Sequence, residues 1–290
     1  MAGSSSAPRG RVLIVAGSDS GGGAGVQADI KTVTALGGHA SSAITALTVQ
    51  NTRGVFDVAA SPPPLVVAQM RVVLEDLGAD AIKTGMMGDT RLVEAVAEAF
   101  SDFAAAIPRI VDPVMVATSG DRLLPESAVD AVRRLLVPGA ALVTPNAPEA
   151  EILTGRAVDT LDGQRRAADR LLEAGAMAAL VKGGHVDGPV IFDVLVDHHS
   201  EKILETPRQA TRATHGTGCT LASGIAAGLA RGMTLQSAVA LSHAFLQEAI
   251  RRAPGLGSGR GPVDHGWPSR DPEAYASLMT RWPIPARATA

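Results

Sequence analysis

Residues 12–36 read VLIVAGSDSGGGAGVQADIKTVTAL. The first five are apolar and rich in β-branched side chains, which suits a short buried strand. Glycines at 17, 21, 22, 23 and 25 then allow a tight turn, and residues 24–36 carry helical spacing. Strand, glycine turn and helix in that order open an α/β fold. The same alternation continues outward. Strands are expected at 43–50, 79–83, 109–111, 141–143 and 178–181, with 54–59 able to pair with 43–50. Helices are expected at 62–77, 90–103, 125–136, 145–153, 161–174, 217–230 and 234–251. A late hairpin is expected over 190–196 and 202–205. Strands separated by helices imply a mostly parallel sheet covered on both faces.

The chain has 290 residues and a formal net charge of -3, with no run of Lys or Arg to make a basic groove. Aromatics are only 3%, too few for base-stacking platforms, so nucleic acid is not an expected partner. A single cysteine excludes an internal disulfide and a Cys-rich metal cage, and it suits a reducing, cytoplasmic location. No apolar run approaches the ~20 residues that span a bilayer, and the first ten residues lack a signal-peptide core. A soluble intracellular protein without a membrane partner is expected.

The turn over 17–25 contains Gly23-Ala24-Gly25-Val26-Gln27-Ala28, a loose match to a dinucleotide pattern. A nicotinamide fold also needs an acid near the end of the next strand to hold the ribose, and residues 41–52 contain none. The turn could serve geometry alone. A Walker loop is excluded because none of Lys31, Lys83, Lys182 and Lys202 follows a glycine. G-x-S-x-G and H-E-x-x-H are absent too, which removes the corresponding hydrolases.

A second glycine turn, His215-Gly216-Thr217-Gly218-Cys219-Thr220, precedes the helix at 217–230. Backbone N–H groups at a helix N-terminus attract anions, and Gly216 and Gly218 would let a phosphate approach them. The same field lowers a thiol's pKa, so partial thiolate character is expected of Cys219, as a base toward an alcohol or as a nucleophile. A lone cysteine is otherwise an inert small hydrophobe.

Taken together, AGSDSGGGAGVQADIKT (16–32), ITALTVQNTRGV (44–55), KTGMMGD (83–89), VDPVM (111–115), TPNAPEAEILTG (144–155), VKGGH (181–185) and THGTGCTLASGIA (214–226) resemble the hydroxymethylpyrimidine/phosphomethylpyrimidine kinases of thiamine biosynthesis. Gly261-Pro262-Val263 adds a further match near the end. That family belongs to the ribokinase-like superfamily, so the resemblance implies a three-layer α/β/α fold with a mostly parallel central sheet. With the composition of its ends, the chain is expected to divide into a flexible tail over 1–10, a kinase domain over 11–254, and a Gly/Pro-rich tail over 255–290 packing on that domain.

The resemblance also implies roles. Cys219 would be catalytic, taking the proton of the reacting hydroxyl. Gln50 would read the pyrimidine, since an amide donates and accepts at once. Asp29, Gly17, Thr48, Met86 and Val114 would line the substrate pocket. Lys182, Asn146, Glu149, Gly216, Thr217 and Gly218 would meet ATP and its phosphates, with Glu149 and Asp112 near Mg²⁺. Each has a plainer reading: Gln50 at a strand end, Met86 and Val114 as core, Asp29 as a helical surface residue, Lys182 at a strand end, Asp112 bending the chain. Asn146 and Glu149 also have the spacing of a capping box. Most sugar kinases of the class carry aspartate where Cys219 stands; the cysteine also matches certain pyridoxal kinases. Vitamin B6 phosphorylation is therefore the alternative function, with a nicotinamide oxidoreductase and a non-catalytic ligand-binding relative further off. The resemblance implies a homodimer as well.

Overall fold

The computed structural model describes residues 10–116 and 124–283. The expected N-terminal tail lies, Gly10 apart, outside the described residues. Nine strands form one sheet: β1 (Arg11–Asp19), β2 (His39–Asn51), β3 (Gly54–Ala60), β4 (Ala81–Thr84), β5 (Arg109–Val111), β6 (Leu142–Val143), β7 (Ala178–Val181), β8 (Val190–Asp197) and β9 (Glu201–Pro207). Their spatial order is β3-β2-β1-β4-β5-β6-β7-β8-β9. The six from β2 to β7 run parallel, and the hairpin partners β3, β8 and β9 are antiparallel. The expected pairing of 54–59 with the second strand is present.

Helices cover both faces, as the layering required. One face carries α2 (Pro63–Asp76), α3 (Thr90–Phe103), α4 (Glu126–Ala131), α5 (Ala147–Thr154) and α6 (Leu161–Glu173). α4 runs on into a π turn at Val132–Leu136. The other face carries α1 (Gly25–Ala35), α7 (Thr217–Ala230) and α8 (Leu235–Arg251). β1 shows why both faces need cover. Leu13 and Val15 join Met70, Val93 and Phe100 on one side, while Val12 and Ile14 join Val33, Ile225 and Phe245 on the other. Side chains alternate along a strand, and each fully buried one contributes about 1.5–3 kcal/mol.

Residues 255–283 are more regular than their glycines and prolines suggest. They include two helices, α9 (Trp267–Arg270) and α10 (Pro272–Arg281). Trp267 is fully buried beside Phe245, with ring centroids 5.6 Å apart. Aromatic burial of that size anchors the segment irrespective of its loop-like composition.

Candidate active site

The parallel strands bring their carboxyl ends to one edge, where ligands bind in open α/β sheets. Lys83 of β4, Asp112 after β5, Asn146 after β6 and Lys182 after β7 thus come together with the turn before α7. Lys83 is wholly buried and donates from Nζ to both oxygens of Asp29, at 2.9 and 3.0 Å. Ser223 of α7 donates to the same carboxylate at 2.6 Å. Burial opposes charge on Lys83, but Asp29, Cys219 and Asp112 outweigh it and raise its pKa. Asp29 is therefore neither a surface residue nor an open pocket wall; its oxygens are taken up inside the protein.

Asp112 is the next member. Lys182 Nζ donates to its Oδ1 at 3.2 Å and Thr144 Oγ1 does so at 3.1 Å, with Lys83 Nζ 4.0 Å from Oδ2. Oδ2 itself is buried without a hydrogen-bond partner. Glu149 and Asn146 form the capping box of α5 in both directions, at 2.8 and 2.9 Å. Burial pushes Glu149 up to about 7, Lys182 pulling against it and Asp112 adding to it. No group of three or more His, Cys, Asp or Glu among the described residues is arranged to hold a metal by itself. Mg²⁺ needs only one or two carboxylates beside phosphate oxygens and water, and the unpartnered Asp112 Oδ2 with nearby Glu149 fits that demand.

At the substrate end, Gly17 leaves room for Met86: a Cβ there would lie 2.7 Å from Met86 Cε. Thr48 and Gln50 project from one side of β2, while Leu47 and Val49 are exposed on the other. Gln50's amide lies 3.2 Å from Thr48 Oγ1 and 3.4 Å from His215 Nε2. Val114, half-buried, lines a small cavity with Thr84, Gly85 and Asp112.

Gly216 starts α7 in the left-handed region, at φ 80°, and a Cβ there would stand 1.8 Å from the Gly23 carbonyl. Only glycine fits. A Cβ on Gly218 would reach within 3.1 Å of Lys182 Nζ, so lysine and helix N-terminus converge on one spot. Cys219 keeps a partly open face here, yet it is no activated thiol. Burial pushes it up to about 12; Lys83 pulls down, while Asp29 and Asp112 push further up. The expected thiolate is thus corrected: desolvation and two carboxylates exceed what a helix N-terminus supplies.

Four residues of this region carried no assignment from sequence: Asp19, Lys83, His215 and His265. Asp19 accepts from the backbone N–H groups of Gly21, Gly23 and Ala24 at 2.8–2.9 Å, and pairs with His215 Nε2 at 2.9 Å. Burial would raise its carboxyl, but His215 and the N–H of Ala24 outweigh this and hold it low. Thr220 donates to the Gly216 carbonyl, and its hydroxyl sits 2.8 Å from His265 Nε2. The Gly-Pro-Val match near the chain's end was the available signal: His215 N–H donates to Gly261, and His265 follows two residues after Val263.

A three-layer sheet with an anion-ready glycine turn, no Walker lysine and buried lysine–carboxylate pairs defines the ribokinase-like class of phosphotransferases. The family model described as phosphomethylpyrimidine kinase matches residues 19–264, and the chain belongs to that family. It is 50% identical over 256 residues to the hydroxymethylpyrimidine/phosphomethylpyrimidine kinase of Streptomyces coelicolor, covering 88% of this chain and 94% of that protein. It is 47% identical to the thiamine biosynthesis bifunctional protein ThiED of Geobacter sulfurreducens, covering 89% of this chain and 52% of that one. Among solved structures, Staphylococcus aureus pyridoxal kinase in complex with AMP-PCP and pyridoxal superposes with a TM-score of 0.81 at 33% identity, covering 88% and 93% of the two chains.

Proposed function

We propose that the protein transfers the γ-phosphoryl group of ATP to the hydroxymethyl group of 4-amino-5-hydroxymethyl-2-methylpyrimidine, and then phosphorylates the monophosphate to the diphosphate, in thiamine biosynthesis. The observation that carries this is the junction at His215: Gln50's amide lies 3.4 Å from a residue adjoining the Gly216–Gly218 turn. A ring reader and a phosphate cradle thus share one wall. The likeness to a pyridoxal kinase keeps vitamin B6 phosphorylation as the second reading. ATP-dependent turnover of the aminopyrimidine alcohol and of pyridoxal, measured side by side, decides; faster turnover of pyridoxal would overturn the first reading.

In the proposed reaction the hydroxymethyl oxygen bonds the γ-phosphorus as the bond to the β–γ bridging oxygen breaks. Positioning and charge stabilisation supply most of the acceleration. Gly216, Thr217 and Gly218 receive the phosphoryl oxygens, and Lys182 offsets their charge. Asp112 and Glu149 would hold Mg²⁺, whose chemistry is to neutralise phosphate charge. Thr48, Met86, Gly17 and Val114 shape the ring's seat, and Asp29 anchors Lys83 beneath it.

Cys219 is a neutral thiol at rest and takes the hydroxyl proton only in its minor ionised fraction. Since burial pushes the thiol up to about 12, kcat should climb with pH through the range 7 to 9. Cys219→Ala should run roughly 10²-fold slower with a flat profile. A climbing profile in the variant would remove Cys219 from that role.

A homodimer is proposed through the β2–β3 hairpin at the sheet edge, where Leu47 and Val49 are exposed on one face of the ribbon and Val58, paired with Thr48, is exposed on the other. Sedimentation at a two-chain mass tests it. Among the described residues, no helix is long and apolar enough to cross a membrane.

A further inference from the structure

Gln50's amide has two ends of similar shape, one that donates and one that accepts, and its neighbours determine which end points where. His215 is the first neighbour. Its Nε2 lies 2.9 Å from Asp19 Oδ2, and a lone pair facing a carboxylate would be repelled. The ring therefore carries a proton on Nε2 whether it is neutral or charged, and toward Gln50 that nitrogen presents no lone pair, only the N–H it shares with Asp19. Thr48 is the second neighbour. Its one hydroxyl proton goes to the Ser18 carbonyl at 2.9 Å, which leaves a lone pair toward Gln50.

An amide nitrogen facing His215 would set donor against donor, and its oxygen facing Thr48 would set acceptor against acceptor. Turned over, the amide donates to the free lone pair of Thr48 and sets its oxygen against the Nε2–H that His215 shares with Asp19, so neither end meets a like group. We infer that His215, held by Asp19, and Thr48 fix the Gln50 amide with its oxygen toward His215 and its nitrogen toward Thr48, which makes His215 a positioning residue for ring specificity. The inference rests on Gln50 as the reader of the ring.

One amide proton and one oxygen lone pair remain for the substrate, in a fixed order along the amide edge. An aminopyrimidine offers an amino N–H beside a ring nitrogen, and this complementary pair seats in one register only. A ring that presents the two groups in the opposite order, or only one of them, leaves a polar atom unpaired. An amide free to turn over would accept either order. Loss of His215 therefore weakens pyrimidine binding and relaxes discrimination together.

The test is a double-mutant cycle on the full-length enzyme, reading KM for the aminopyrimidine alcohol, KM for ATP and kcat. His215→Leu should raise the aminopyrimidine KM roughly tenfold, the loss of about one hydrogen bond, with KM for ATP within about twofold. His215→Gln, which restores an N–H donor, should recover most of the loss. In the Gln50→Leu background, His215→Leu should add nothing, because there is no amide left to orient. The same factor in both backgrounds would overturn the inference, as would an equal rise in KM for ATP. If Gln50→Leu leaves KM unchanged, the reading of Gln50 fails and this inference with it. If Gln50→Leu raises KM and His215→Leu does not, the inference alone fails. Should His215→Leu not fold, Thr48→Val supplies the same cycle from the other end of the amide, with a several-fold rise expected only when Gln50 is present.

Discussion

The two glycine turns, 17–25 and 214–219, look alike on paper: each is glycine-rich and each opens a helix. In the structure they are opposites. Asp19 occupies the first from within, taking the N–H groups of Gly21, Gly23 and Ala24 on its carboxylate. A phosphate there would meet a negative charge and donors already engaged. The second turn has no side-chain cap at Gly216, and Lys182 stands over Gly218. One aspartate thus separates a self-sealed turn from an anion site, and it accounts for the failure of the dinucleotide pattern at 23–28. The lesson is that a glycine turn before a helix is a phosphate site only if nothing of the protein's own occupies it.

The comparison can be broken in three ways, largest effect first. Gly216→Ala places a Cβ 1.8 Å from the Gly23 carbonyl in a left-handed residue, so turnover should fall by roughly 10²-fold or more, or folding should fail. Turnover within tenfold of the parent, with normal thermal unfolding, would show that the second turn is not the cradle.

Asp19→Ala should act in the opposite manner. It strips three N–H groups and His215 of their acceptor, which costs about 3 kcal/mol of stability in denaturant unfolding. KM for ATP should stay close to the parent value, since the phosphate turn is elsewhere. A large rise in KM for ATP at unchanged stability would erase the distinction between the turns.

The smallest effect concerns His265, which backs the second turn through Thr220. Burial, with Lys31 and His215 adding to it, pushes its pKa down to about 4, Asp264 opposing. The unfolded chain therefore binds a proton that the folded one refuses. Stability is fully present above about pH 6.5 and is lost as pH falls toward 4, by about 2 kcal/mol at pH 5. His265→Gln, which retains a donor for Thr220 but does not titrate, should lose less in that window and match the parent slope above pH 7. Parallel acid profiles would remove His265 as the cause.

Much of this was legible beforehand. Periodicity placed every strand from β1 to β9 to within a few residues, since burial on one or both faces imprints an alternating or continuous apolar run. The capping box at Asn146 and Glu149 was visible because it is a local pattern. α9 and α10 were not: the tail's composition argues for loop, and tertiary burial of Trp267 overrides it. Lys83 also escaped notice, because a lysine inside a buried strand has meaning only once Asp29 is seen beside it.

By itself the sequence determined the layered α/β fold and, through motifs in a fixed order, the family, and it pointed to part of the set at the carboxyl ends of the strands. These follow from patterns among chain neighbours. Only the tertiary structure decided that Asp19 meets His215 across 196 positions, that Asp29 is consumed by Lys83, and that Cys219 is a neutral thiol rather than a thiolate. Proton affinity and donor satisfaction depend on what lies within a few ångströms through space, and that distance is not written along the chain.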